Sequence, residues 1–497
     1  MKTRPSPFTA TLPLVAASAL ALASCASMQA VDATSALNQA NAAMGGVNLK
    51  SIQFDAAGTG GTFGQAYQPG MAWPKVNVTM LSRVMDYEGS AMRQDMAQNR
   101  AEPTGGGPGP LPLMGTGELR STGLLKGNSA WNMAGPAPAA APLAVSGRVH
   151  DLWTSPHGVI KAALKSNNGA WKVTENGQTY TAVTYGQPGA FTATAYINAS
   201  NLVERVESVQ PNPVMGDTAT TTWYSDYKAV DGVQFPMKIR QNMGGYEVVS
   251  VTVNSVKPNV AVNIETPALV TSFAENAVPT LVAPGVWFVA GGSHNSVAIE
   301  MANHMIMVES PLYDGRASAA IAGVKKLSNQ PIRYVINSHH HFDHAGGLRT
   351  AAAEGAEIVT SAAARPYFER IFANPNTVAP DALAKSGKRA TVSGVDGKRV
   401  FSDGVRNVEV HYIENSMHAH GFNMVYLPAE KLLIEADAYT PGPPNTPTPA
   451  RINDNHLALV QNMDRLKLNV ERILPLHGRV VPVAELYTTA GRTPATR

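Results

Sequence analysis

The sequence predicts a mixed α/β protein in two unlike halves: a β-rich (α+β) amino-terminal domain and an α/β carboxy-terminal domain. Three observations predict it. Segments in the first half alternate β-branched and polar side chains with a period of two, whereas those beyond residue 280 alternate short apolar strands with helical stretches. The chain has 497 residues, more than the ~100–200 of one ordinary domain. Hydrophobic residues make up 44% and charged residues 15%, against ~25% charged in typical soluble proteins, so a charged disordered chain or a long coiled coil is excluded.

The amino terminus reads as a targeting segment over residues 1–24. Lys2 and Arg4 precede an apolar run, Leu12–Leu22, too short to span a bilayer, followed by small residues. The run ends in Leu22-Ala23-Ser24-Cys25, which resembles the lipobox of bacterial lipoproteins. That resemblance implies lipidation of Cys25, and Ala26 after it implies the outer membrane; acylation by more than one chain would make the anchor stable. The alternative is ordinary cleavage after Ala23, releasing a soluble periplasmic protein. Cys25 is the only cysteine, so no intramolecular disulfide can form. The formal net charge is +3, but without Lys2 and Arg4 there are 37 basic and 36 acidic residues. A balance of +1 gives no case for a nucleic-acid partner.

A β-rich domain is expected over residues 25–275. It opens with a helix, Ala33–Ala43, that stops at Gly45-Gly46. Val76–Val84, Phe191–Ile197 and Val248–Val253 alternate as half-buried strands, and Asp231-Gly232 marks a hairpin between 220–228 and 233–241. The stretches Glu102–Pro110 and Gly135–Pro142 are low in complexity and read as exposed loops. Around Tyr224–Pro236 the pattern resembles the curved antiparallel sheets of periplasmic lipoprotein carriers; a generic β-domain serving as spacer or dimerisation element fits equally.

A domain boundary is placed near residues 270–280, where the periodicity loosens. Beyond it Val286–Val289 and Ser296–Met301 read as a hairpin around Gly291-Gly292. Met305–Val308 reads as a buried strand, Ser318–Leu327 as a helix, Arg333–Asn337 as a strand and Leu348–Glu354 as a helix. A tail is expected over 479–497.

Of 13 histidines, 11 lie beyond residue 280. The densest cluster, Ser338-His339-His340-His341-Phe342-Asp343-His344-Ala345-Gly346-Gly347, follows a strand and precedes a helix. Alternate residues turn the same way, so His339 and His341 can meet one point while His340 faces away. Asp343 and His344 can reach a second point. Imidazole and carboxylate suit zinc, and an open coordination position marks a catalytic site.

His339-x-His341-x-Asp343-His344 followed by Ala-Gly-Gly resembles the signature of the metallo-β-lactamase superfamily. Downstream, His418, Asp437 in Leu432–Asp437, and His477 in Ile473–Gly478 match the rest of its pattern over roughly residues 280–478. The resemblance implies an αββα sandwich and two zinc ions. One would be held by His339, His341 and His418, the second by Asp343, His344 and His477, with Asp437 bridging. It implies that hydroxide between the metals is the nucleophile, and that Asp343 acts as the catalytic acid–base. His420 competes with His418, but the distance to Tyr426-Leu-Pro favours His418, leaving His420 to line the pocket. Ala436 stands where the family has Gly, and Glu309 where it often has Asp. His294, His304, His411 and His456 read as surface or packing residues. The Tyr439–Pro447 segment is a candidate pocket wall, and Trp287 with the Gly291-Gly292 tip a candidate flap.

The ligand set narrows the reaction. Di-iron flavoproteins of the superfamily carry Glu at the position of His341, and one β-lactamase group needs Cys at that of Asp437. The full pattern resembles hydroxyacylglutathione hydrolases, lactonases and phosphodiesterases more closely. The expectation is an envelope-located zinc hydrolase acting on a small-molecule ester, lactone, amide or phosphoester. The alternatives are a mononuclear iron oxygenase resembling persulfide dioxygenases, a β-lactam hydrolase, and a lipid-binding envelope lipoprotein with a secondary metal domain.

Overall fold

The computed structural model describes residues 29–102 and 117–493; the targeting segment, Cys25 and most of the Glu102–Pro110 stretch lie outside them. Among the described residues no helix is long and apolar enough to cross a membrane.

The helix Ala33–Ala43 forms as the sequence predicts. Asp32 caps it by accepting from the Thr34 amide at 3.1 Å, and Leu37 and Ala40 are its buried stripe. The rest of the amino-terminal region is one 14-stranded antiparallel sheet. Two meanders build it, Ser51–Gly61 onward and Asn167–Glu175 onward, joined where Tyr246–Pro258 pairs with Ser51–Gly61. The hairpin at Asp231-Gly232 is tight: Val230 pairs with Val233, and both turn residues have positive φ, 48° and 80°.

Between the meanders run the helices Val145–Trp153 and Pro156–Lys165. The first touches Ala91–Arg100, Leu119–Lys126 and Ser129–Ala134 on one side and Val203–Asn212 on the other. Six steps separate Val203–Asn212 from Ala91–Arg100 in the sheet, roughly 29 Å if flat at ~4.8 Å per strand. A nine-residue helix reaches both only because the sheet curls around it. Leu152, Val159, Ile160, Phe191 and Phe235 fill the space between.

One expectation is overturned here. Gly135–Pro142 is not wholly loop: Ala137–Ala140 is the last strand of the sheet, with Pro138 opposite Met133. Proline is tolerated because an edge strand has one side without ladder bonds.

The carboxy-terminal region is an αββα sandwich. A seven-stranded sheet runs from Val278–Ala283 to Val392–Val395, and a six-stranded sheet from Lys398–Ser402 to Val481–Pro482; with Leu486 and Tyr487 of the helix that follows buried in the core, the described part of 479–497 is not the expected tail but an element of the sandwich. Val297, Ile306, Val308 and Ile336 of the first meet Val410, Val425, Ile434 and Leu474 of the second in a dry core. The strands Met305–Val308, Ile332–Ile336, Glu357–Ser361 and Val392–Val395 pair in parallel, and most of their residues are buried, as strands covered on both faces require. The helices Asp314–Lys325, Leu348–Glu354 and Arg365–Ile371 cover the first sheet, and Asp454–Arg465 and Val483–Thr489 the second. The first of these begins four residues before the sequence reading placed it, with Asp314 in its opening turn, where a carboxylate favours a helix start.

The amino-terminal sheet is wedded to this sandwich. The connection between Ser51–Gly61 and Lys75–Asp86 crosses onto it, where Phe63, Trp73 and Phe342 pack edge to face. Gly64 is obligatory at the crossing: its φ is 81°, and a Cβ there would lie 2.6 Å from the Phe342 ring.

Candidate metal centre

The site lies where loops from both sheets meet at one edge of the sandwich. His339, His341, Asp343 and His344 follow the strand Ile332–Ile336, with Asp343 and His344 in the short helix Phe342–Ala345. His418 lies beyond Asn407–Tyr412, Asp437 beyond Leu432–Glu435, and His477 beyond Arg472–Pro475. His294 comes from the connection between Val286–Ala290 and Ser296–Glu300.

These residues form two donor groups: His339, His341, His418 and Asp437, and His294, Asp343, His344 and His477. Asp437 links them. Its Oδ2 is 3.3 Å from His339 Nε2, 3.1 Å from His418 Nε2 and 2.8 Å from His344 Nε2, and its Oδ1 is 3.1 Å from His477 Nε2. His340 belongs to neither group.

Hydrogen bonds on the far side of His344, His477 and His341 occupy the outer nitrogens, so the inner nitrogen of each is the one free to bind a cation. His344 Nδ1 donates to Glu309 Oε2 at 3.1 Å and His477 Nδ1 to the Ser293 carbonyl at 3.0 Å, yet their Nε2 atoms face each other at 3.0 Å. His339 and His418 oppose their Nε2 atoms in the same way at 3.1 Å. His341 Nε2 donates to the Ala66 carbonyl at 3.0 Å, so its buried Nδ1 is the free lone pair and has no protein partner. Two imidazole lone pairs turned on one another repel unless a proton or a metal cation lies between them. A tetrahedral zinc ion with ~2.0–2.1 Å bonds sets neighbouring ligand atoms roughly 3.4 Å apart, close to these separations. The donor set therefore fits metal.

The electrostatics agree. Burial holds His339 and His341 far below the usual imidazole pKa, as neutral ligands should be. Burial would push His344 down too, but the Asp437 and Asp343 carboxylates hold it well above its ordinary value, so a proton on Nε2 is favoured in the place that a metal cation would take. The first group is sealed: His339, His341 and His418 are all buried. The second is more open, and the Asp343 side chain is 29% exposed.

Other residues that the sequence singled out fall elsewhere. His420 is exposed and its ring lies beside Tyr67, at the rim and outside both donor groups. Tyr439 is not a pocket wall. It is 1% exposed, its amide donates to Glu435 Oε2, and its ring packs on His456 within the sandwich core. Trp287 is not a flap either: its neighbours Val286 and Phe288 enter the inter-sheet core, so strand alternation turns Trp287 outward, against the helix-covered face.

Three contributions go beyond what the sequence assigns, although Glu309 stands out there at the position where the family often has Asp. His294, taken there for a surface or packing residue, places Nε2 3.2 Å from Asp343 Oδ2. Its position in a hairpin connection near a histidine cluster was the available signal. Glu309, fully buried, accepts from His344 Nδ1 and from the Ser338 amide, fixing both the imidazole and the start of the ligand turn. The third comes from the amino-terminal region. Gln65 Nε2 donates to Asp343 Oδ1 at 2.8 Å, the Ala66 carbonyl accepts from both His340 and His341, and Tyr67 donates to the Ser416 carbonyl at 3.0 Å. No local pattern around residue 65 announces this.

Residues 290–477 match the family model described as the metallo-beta-lactamase superfamily. Together with the αββα layering, the match gives this domain the metallo-β-lactamase fold. Among solved structures, a metallo-beta-lactamase from Pontibacter korlensis is 16% identical, with 44% of this chain and 98% of that chain covered and a TM-score of 0.35. The metallo-beta-lactamase FIM-1 from Pseudomonas aeruginosa, in its mono-zinc form, is 17% identical over 44% and 95%, with a TM-score of 0.33. DIM-1 metallo-beta-lactamase exposed to ceftazidime is 13% identical over 44% and 97%, with a TM-score of 0.34. Comparison with curated proteins gives no match.

Proposed function

We propose that the protein is a zinc-dependent hydrolase of the cell envelope, acting on an ester, lactone, amide or phosphoester. The observation that carries this reading is the pair of donor groups sharing Asp437 at an edge where the second group is partly open. His339, His341 and His418 would hold one ion and Asp343, His344 and His477 the other. Zinc bound there would polarise the scissile carbonyl or phosphoryl oxygen and lower the pKa of coordinated water to about 7.

The chain's own groups do the rest. Gln65 holds Asp343 Oδ1, which turns Oδ2 toward His294 Nε2. That carboxylate and imidazole can carry a proton from the attacking water to the leaving group. His294 is steadied by Ser293 Oγ, 2.9 Å from its Nδ1. Residues Gln65–Tyr67 cover the ligand turn and keep bulk water from the sealed first group. The envelope location rests on the amino-terminal Lys2–Cys25 pattern.

A panel of esters, lactones, β-lactams and phosphodiesters tests the reading, with His341→Ala as control. Hydrolysis of an ester, lactone, amide or phosphodiester is expected, falling by about 10²-fold or more in the control, the usual scale for losing one charge-stabilising group. With Asp437 completing the seven-residue ligand pattern, β-lactams should not be the best substrates; preferred turnover of a carbapenem would refute that.

A further inference from the structure

We propose that the cleft between the amino-terminal sheet and the metal domain binds the apolar chain of the substrate, and that this chain is a neutral acyl or alkyl group. The word substrate rests on the hydrolase reading; binding in the cleft does not.

The cleft encloses about 980 Å³, its open mouth included, and Asp343 and Gln65 line it beside Phe63, Met243, Leu312 and Phe342. A second cavity of about 850 Å³ shares Phe63, Gly147, Gln210 and Met243 with the first. It continues beneath the helix Val145–Trp153, along Val76, Val78 and Leu81 of the strand Lys75–Asp86, to Arg83 and Asp151. From Val76 to Arg83 the strand advances roughly 23 Å at ~3.3 Å per residue, room for a long chain with its head at the metal ligands.

The lining selects against charge. Arg83 and Asp151 already pair at 3.2 Å, and Asp343 is engaged by Gln65 and His294. What remains is apolar surface interrupted by neutral amides, with flexible methionine at the junction. An ionic ligand would find no free counter-charge, whereas a hydrocarbon chain would meet a fitting wall.

Gly147 marks the passage. It lies inside a helix, where glycine is unfavourable, and no close backbone approach explains it: a Cβ there would meet only Gln210 Oε1, at 3.9 Å. The space over Gly147 is the junction of the two cavities, which a larger side chain would plug.

The test uses the full-length, metal-loaded protein, with 1-N-phenylnaphthylamine as fluorescent probe and n-alkanols, which carry no charge, as competitors. Displacement is expected to tighten from hexanol to dodecanol by roughly threefold to fourfold per added methylene, the value of burying one CH₂. Gly147→Leu should weaken dodecanol binding by about tenfold or more while metal content and melting temperature hold, and should shift hydrolysis toward short acyl chains. Gly147→Ala should fall between, and it keeps the test open if the leucine variant misfolds. Competition that does not depend on chain length, or wild-type binding in both variants, overturns the assignment even if hydrolysis is found. Chain-length-dependent binding lost on plugging, without turnover of any substrate, upholds the cleft and sinks the hydrolase reading instead.

Discussion

Asp437→Ala is expected to lower hydrolysis by about 10³-fold or more, close to 4 kcal/mol of barrier, and to release metal from both donor groups together. The reason is geometric. The four imidazole nitrogens of His339, His418, His344 and His477 all lie within 3.3 Å of this one carboxylate. Burial acts to raise its pKa, but His344 and His418 hold it well below the usual range, so it is ionised and supplies the negative charge that both ions would share. Removing it leaves opposed, mostly buried imidazoles with no anion between them. Metal analysis and rate measured on the same sample check this: loss from one group alone would mean that Asp437 does not bridge.

Glu309→Ala should weaken metal affinity by roughly 10–100-fold, the usual effect of deleting a carboxylate that orients a histidine ligand. It touches no proposed ion. It fixes His344 with Nδ1 protonated, so that Nε2 presents its lone pair, and it accepts from the Ser338 amide that opens the ligand turn. Both donors are buried, so their loss of a partner should also destabilise the fold by about 2–6 kcal/mol, at ~1–3 kcal/mol for each unpaired group. Glu309 has a φ of 67°, an unfavourable conformation for a side-chain-bearing residue, which the paired carboxylate helps to hold. Glu309→Gln keeps one acceptor and should recover part of both losses. Metal titration and chemical denaturation separate the two effects; unchanged affinity in the alanine variant would show that His344 needs no such anchor.

How much of this was legible in the sequence depends on how local each cause is. His339, His341, Asp343 and His344 share one turn, so spacing alone places them around neighbouring points. Strand alternation in Val76–Val84 and Phe191–Ile197 is equally local, and strands form there. The misreadings arise where tertiary packing decides. Ala137–Ala140 joins the sheet because an edge has room for Pro138, which composition cannot reveal. Trp287 and Tyr439 are aromatic residues near the site in sequence, but strand parity turns one away and the ring of the other is buried against His456 in the core. Gln65 and Ala66 reach the ligand turn across more than 270 positions. A contact at that separation leaves no period or spacing in a single chain. For the same reason the sequence shows two domains in series, while the metal centre is assembled from both.

Under the proposed reading, two metal ions sharing Asp437 would make this edge of the sandwich a hydrolytic site. Titrating zinc into the metal-depleted, full-length protein while recording hydrolysis of the best substrate from the panel tests it most directly. Activity should rise to a plateau at about two zinc ions per chain, as expected for a two-metal site, and oxygen should have no effect. Full activity with about one iron per chain and a strict requirement for oxygen would contradict it.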